Sequence, residues 1–158
     1  SGMVMELTGP AGQYGQAGAK SVEMAFRDFN EAGGVDGCNL VADTRDSQSQ
    51  GTVAVDQATQ LVNIKNVPVI IGGIISSVSI PILTSVTAPA KVVQVSPASS
   101  SPTLTQLARE GKTDGYFFRT ITSDALQGTA AAKYAIDSGL AKLAIIYVNN
   151  DFGVNMMK

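Results

Sequence analysis

Short apolar runs alternate with amphipathic segments along the whole chain, and that alternation confines it to a layered α/β fold. Residues 4–7, 40–43, 67–71, 92–95, 115–119 and 143–148 read as strands, the last apolar on both faces. Between them, Ala19, Val22, Phe26 and Phe29 recur at spacings of three and four, as do Ala54, Ala58, Leu61 and Val62. Each set forms one stripe of a helix. Gly33-Gly34 stops the first helix, and Gly72-Gly73 ends the third strand. A third helix is expected over 76–88, with Pro81 admitted only near its first turn, where a missing amide proton costs nothing. A short helix follows to Leu107, and Leu126, Ala130 and Tyr134 mark another over 125–136. Continuous apolar strands separated by helices form a parallel sheet covered on both sides. The fold class is α/β, a doubly wound parallel sheet.

Composition removes most catalytic chemistry. The 158 residues include no histidine, which excludes Ser-His-Asp and Cys-His nucleophilic catalysis and every histidine metal site. The one cysteine, Cys38, excludes an intrachain disulfide and a cysteine metal cluster. Eleven basic residues scattered among thirteen acidic ones make no cationic face for nucleic acid. With 44% hydrophobic and 15% charged residues, the chain has material for a core and is not disordered. No stretch approaches the roughly 18 apolar residues of a membrane span, and the start lacks the pattern of a signal peptide. Ser1-Gly2 is set aside as an appended remnant outside the fold. No cofactor and no metal are expected. Asp43 and Asp46 have no third ligand type clustered with them, and Asp151-Phe152-Gly153 lacks the companions of a kinase motif.

Three loops remain as candidates for binding. Glycines at 9, 12, 15 and 18 match neither a dinucleotide fingerprint nor a phosphate-binding P-loop. A tight strand-to-helix turn is the simpler reading there; the other is a ligand loop presenting Tyr14 to a cleft. In Gly72-Gly73-Ile74-Ile75-Ser76-Ser77 a strand ends in glycines and two serines open a helix. Free amides and hydroxyls there suit a carboxylate or phosphate, and simple N-capping is the alternative. The loop 96–102 repeats this chemistry after the next strand, with small side chains between Pro97 and Pro102. Two such loops at the carboxyl ends of neighbouring parallel strands stand where open α/β sheets bind ligands.

The motifs also occur in a telling order. Leu7-Thr8-Gly9-Pro10 with Gln13-Tyr14-Gly15 comes first, followed by residues 29–37, Phe-Asn-Glu-Ala-Gly-Gly-Val-Asp-Gly. Ile71-Gly72 with Ser76-Ser77 and then Ser96-Pro97-Ala98-Ser99 come next. Phe118-Arg119-Thr120 with Ser123-Asp124 and Gln127-Gly128 closes the series. This series resembles the type I periplasmic binding proteins, and most of all the leucine/isoleucine/valine-binding proteins of branched-chain amino-acid ABC transporters. The resemblance runs from Val4 to the end of the chain.

It implies two α/β lobes closing on a ligand. Residues 1–120 would be the first part of the N-terminal lobe. Residues 121–158 would be a hinge crossover and the start of a second lobe, left incomplete because family members are more than twice as long. By motif, Ser76 and its neighbour Ser77 match the position that holds the ligand carboxylate. Ala98 and Ser100, with Ser99 between them, match positions gripping the amino and carboxylate groups. Tyr14 and Phe152 match aromatic positions lining the side-chain pocket, although many relatives carry tyrosine rather than phenylalanine at the second. The ammonium group needs acceptors: a carbonyl near Ala98 and, by resemblance, an acid beyond Lys158. The implied function is a periplasmic or other extracytoplasmic protein, not an enzyme. It would capture a small amino acid or analogue and deliver it to the membrane permease of an ABC transporter. The alternatives are a ligand-sensing receptor domain of the same fold and, less favoured, a doubly wound enzyme. The apolar strand 143–148 and the Leu126–Tyr134 stripe predict self-association by exchange of 121–158 between copies.

Overall fold

A computed structural model describes residues 1–157. Strands β1 (Gly2–Met5), β2 (Asp43–Asp46), β3 (Val69–Gly72), β4 (Val93–Ser96) and β5 (Phe117–Arg119) form one five-stranded sheet in the order β2-β1-β3-β4-β5. Every pairing is parallel. The helices are α1 (Gly12–Glu31), α2 (Gly51–Asn63), α3 (Ser76–Ile82), α4 (Ala88–Ala90), α5 (Pro102–Arg109), α6 (Asp124–Asp137) and α7 (Asp151–Met157). Side chains alternate across a strand, so β1 serves two cores. Val4 packs with Ala54 and Leu61 of α2 and with Val78 and Ile82 of α3. Met3 and Met5 pack with Ala19 of α1 and with Ile74. From β1 the chain steps to the edge at β2, then crosses back to β3 on the other side of β1. Its direction of winding thus reverses between β1 and β3, which opens a crevice at their carboxyl ends.

Several expectations need correction. Gly2, set aside as a remnant, is buried and pairs with Asp43 and Ile70 as the first residue of β1. The second strand begins at Asp43, where the expected apolar stretch 40–43 ends. Asn30 pins Leu40 through both backbone groups, at 2.6 and 2.9 Å, and an edge strand can be polar on its open side. Phe29 is 58% exposed because α1, at 20 residues, is about 30 Å long and overhangs strands of four. Pro81 is the sixth residue of α3, well past its first turn. After it the helix widens into a π-helical turn at Leu83–Thr87 before α4.

The largest correction concerns residues 143–148. They form no strand, and Ile146 is fully exposed. A strand requires a ladder partner, and none of the five sheet strands pairs with this segment. Leu126 and Tyr134 of α6 are likewise exposed, and α6 buries Asp124 and Ala135 instead.

One close backbone approach joins α1 to the residue after β1. A methyl group on Gly15 would collide with the Glu6 carbonyl. Gly15→Ala is expected to lower unfolding stability by on the order of 1–3 kcal/mol in urea titration. Gly128→Ala, in α6 with only the Met156 carbonyl nearby at 3.8 Å, is expected to raise it by about 0.5–1 kcal/mol. Equal effects at the two positions would contradict this packing.

Candidate functional site

The β3 strand ends in a turn that only glycine can make. Gly72 has φ +128°, and a side chain there would strike the Val4 carbonyl. The turn brings the next two amides onto Glu6, the residue after β1. Ile74 N–H donates to both carboxylate oxygens, at 2.9 and 3.1 Å, and Ile75 N–H donates to one at 3.1 Å. Glu6 has no solvent exposure. Burial pushes its carboxyl above the ordinary value, the two amides pull it back, and Asp46 adds to the rise.

A buried polar network joins this turn to the β4 loop. The Gly73 carbonyl lies 2.6 Å from Ser96 Oγ, 3.0 Å from Ser79 Oγ and 3.4 Å from Ser99 Oγ. Ser79 and Ser99 hydroxyls are 2.6 Å apart, and Ser99 Oγ also donates to the Ile74 carbonyl at 3.1 Å. From within β4, Gln94 donates to the carbonyls of Gly72 and Ser79 and accepts from Thr87 Oγ1 at 2.8 Å. Ser101 N–H donates to Ser76 Oγ at 3.2 Å, linking the two serine loops directly.

At the end of β5, Arg119 spans the outer side of the β4 loop. It donates to the Ser99 and Ser101 carbonyls at 3.1 and 3.0 Å and to Thr105 Oγ1 at 2.6 Å. Burial lowers the guanidinium's pKa while nearby Asp124 works the other way. Asp124, buried at the start of α6, accepts from Ser100 Oγ at 2.6 Å, and its own N–H donates to the Ser100 carbonyl at 3.0 Å. With its one proton on Asp124, the Ser100 hydroxyl has lone pairs to offer and no donor. The pair can therefore accept from a cation.

Ser100 apart, the residues singled out from the sequence lie in different surroundings. Ser76 and Ser99 are buried and bonded within the network. Ser77 and Ala98 are half-buried at the same edge, and Ser77 makes none of the bonds that hold Ser76 and Ser79. Tyr14 is 71% exposed on the first turn of α1. Phe152 is half-buried on the first turn of α7, a helix that packs against α3, α5 and α6. It lines a cavity of about 810 Å³ with Asp124, Gly128 and Tyr147. A shallower groove of about 560 Å³ lies beside α1, lined by Phe26, Asn30 and Leu40, all outside these loops. Glu6, Ser79, Gln94 and Arg119 were not foreseen as parts of the site. A lone acid in Met3-Val4-Met5-Glu6-Leu7 and a lone amide in Val93-Gln94-Val95 were the available signals.

Residues 2–158 match the family model described as periplasmic binding protein. The chain belongs to the periplasmic binding protein family. Within it, the chain is 31% identical over 157 residues to the Leu/Ile/Val/Thr-binding protein of Salmonella typhimurium, covering 99% of itself and 41% of that protein. It is 29% identical to the chemotactic signal transduction system substrate-binding protein BasB of Halobacterium salinarum, across 96% of itself and 38% of the relative. The crystal structure of a leucine binding protein from Thermotoga maritima superimposes with a TM-score of 0.82 at 26% identity, over 98% of this chain and 42% of that one. The chain thus spans about two fifths of the length of these relatives, which are solute-binding proteins and not enzymes. Among the described residues, no helix is long and apolar enough to cross a membrane.

Because the Glu6 carboxyl titrates above its unfolded value, the folded state holds the proton more tightly than the unfolded chain. Its contribution to stability is present below the unfolded value and is lost as pH rises through the folded one. Relative to Glu6→Gln, the wild type is expected to lose stability over that rise in urea melts taken across the acid range. A difference between the two proteins that stays constant with pH would contradict a buried, titrating Glu6.

Proposed function

We propose that this chain carries one wall of an amino-acid-binding cleft in an extracytoplasmic solute-binding protein serving an ABC transporter. The observation that supports it is the Ser101–Ser76 link, which joins the β3 and β4 loops at the carboxyl edge of the sheet, beside its switch point. In this reading residues 1–120 are the N-terminal lobe, and 121–158 are the crossover with the start of a second lobe. The ligand is a small amino acid, branched-chain or similar. Its carboxylate docks at Ser76 and Ser77 and takes the free hydroxyl of Ser77. Its ammonium is held by the Ala98 carbonyl and by Ser100 backed by the Asp124 carboxylate, an acid already within this chain. Ser99 acts through the network behind the loop. Tyr14 and Phe152 flank the ligand side chain. A membrane permease is the partner. Delivery to a sensor is the second reading, favoured by the relative from a chemotactic system.

Isothermal titration calorimetry with L-leucine, L-isoleucine and L-valine tests this. Losing a hydrogen bond to a charged group costs about 1.5–3 kcal/mol, so Ser77→Ala and Asp124→Asn should each weaken binding roughly ten- to a hundredfold. Unchanged affinity in both variants would remove the cleft assignment.

The apolar exposure of Leu126, Tyr134 and residues 143–148 also supports self-association of the chain. Sedimentation equilibrium at micromolar concentration should give a dimer or larger species, and a monomer throughout would rule it out.

A further inference from the structure

Among the described residues Glu6 is the one acid with no solvent exposure, and nothing in the binding scheme above uses it. It stands at the switch point behind the Ser76–Ser77 turn, with its carboxylate against the amides of the two preceding residues. Those amides would otherwise be free donors at the start of the turn. With both turned back onto Glu6, these amides are withdrawn from a ligand, and the half-buried Ser77 is the more accessible serine of the turn. We propose that Glu6 is the positioning residue of this turn, and that it takes up a proton from solvent when a ligand carboxylate docks in front of it. The inference rests on the reading that such a carboxylate docks at Ser76 and Ser77.

The surroundings leave the coupling uncompensated. Strand β2 brings Asp46, a second negative charge acting in the same direction. Helix α1 lies against the Glu6 backbone at Gly15, and Val78 of α3 and a Glu6 carboxylate oxygen both border Gly73; neither Gly15 nor Val78 is titratable. The β3 turn contributes only amides. Of the cations, Arg45 on β2 is paired with Asp43 at 2.7 Å, and Arg119 on β5 is directed to the carbonyls of the β4 loop. Two carboxylates on either side of one turn, with no cation between them, favour protonation of the buried one. The proton-bearing form then keeps one oxygen as acceptor for the amides, so the turn holds its shape.

The test is a pH series of ¹H–¹⁵N spectra of the full chain, free and saturated with L-leucine, for wild type and Glu6→Gln. In the free wild type, the Ile74 and Ile75 amides should follow a single titration. Leucine should move its midpoint upward, and Glu6→Gln should abolish it. Leucine affinity of the wild type should be roughly tenfold higher below the free midpoint than above it, and flat in Glu6→Gln. The wild-type midpoint decides the matter should the variant not fold. Leucine shifting the Ser76 and Ser77 amides while the Ile74–Ile75 midpoint stays fixed would overturn the coupling and leave the cleft reading standing. Leucine moving none of the four amides would overturn both.

Discussion

The Gly73 carbonyl is the point on which the carboxyl edge of the sheet depends. It is buried where water cannot reach, and the hydroxyls of Ser79, Ser96 and Ser99 converge on it from α3, from β4 and from the loop after β4. Leaving a buried polar group unpaired costs about 1–3 kcal/mol, so these three elements cannot separate without leaving several groups orphaned at once. Gln94 extends the same logic one layer deeper, satisfying the carbonyls of Gly72 and Ser79 from within an apolar strand. No buried side-chain nitrogen or oxygen among the described residues lacks a partner. A network of this kind is rigid when complete and poorly tolerant of partial loss.

On either side of the network a charged residue holds one loop by its backbone. Glu6 accepts from amides after β3, and Arg119 donates to carbonyls after β4. The two residues lie on β1 and β5 sides of the same edge, and each is matched to the backbone polarity that its loop presents. Charge-assisted bonds are shorter and about twice as strong as neutral ones, which suits the task of fixing loops that carry no regular structure. In the proposed binding scheme, Ser77, the Ala98 backbone and the Ser100–Asp124 pair would thereby be held on a frame that does not have to reorganise when a ligand arrives. Preorganisation of this sort spares the ordering cost of binding.

Much of the fold was legible because its signals are local. β-branched runs ending in glycine marked β3 and its turn, and serine-rich loops marked the edge where β3 and β4 end. The helical stripes of Ala19–Phe26 and Ala54–Val62 marked α1 and α2. What stayed hidden is long-range. Glu6 and Ile74 are 68 residues apart, and no spacing rule connects them. Gln94 and Glu6 sit inside apolar runs, where a single polar residue reads as noise until its partners are known. Residues 143–148 have the composition of a buried strand, yet pairing depends on a neighbour and composition does not supply one. Asp124 was visible within Ser123-Asp124, but its role at Ser100 became apparent only once the β4 loop and α6 were brought together.

The claim that matters most is that the β3 and β4 loops form the seat of an amino-acid head group. A crystal structure of the protein grown with saturating L-leucine tests it directly. Density for the ligand should lie against Ser77, the Ala98 backbone and Ser100, with its carboxylate toward the Ser76–Ser77 turn and its ammonium toward Asp124. Leucine bound instead in the groove lined by Phe26, Asn30 and Leu40, with the serine loops unoccupied, would contradict the account.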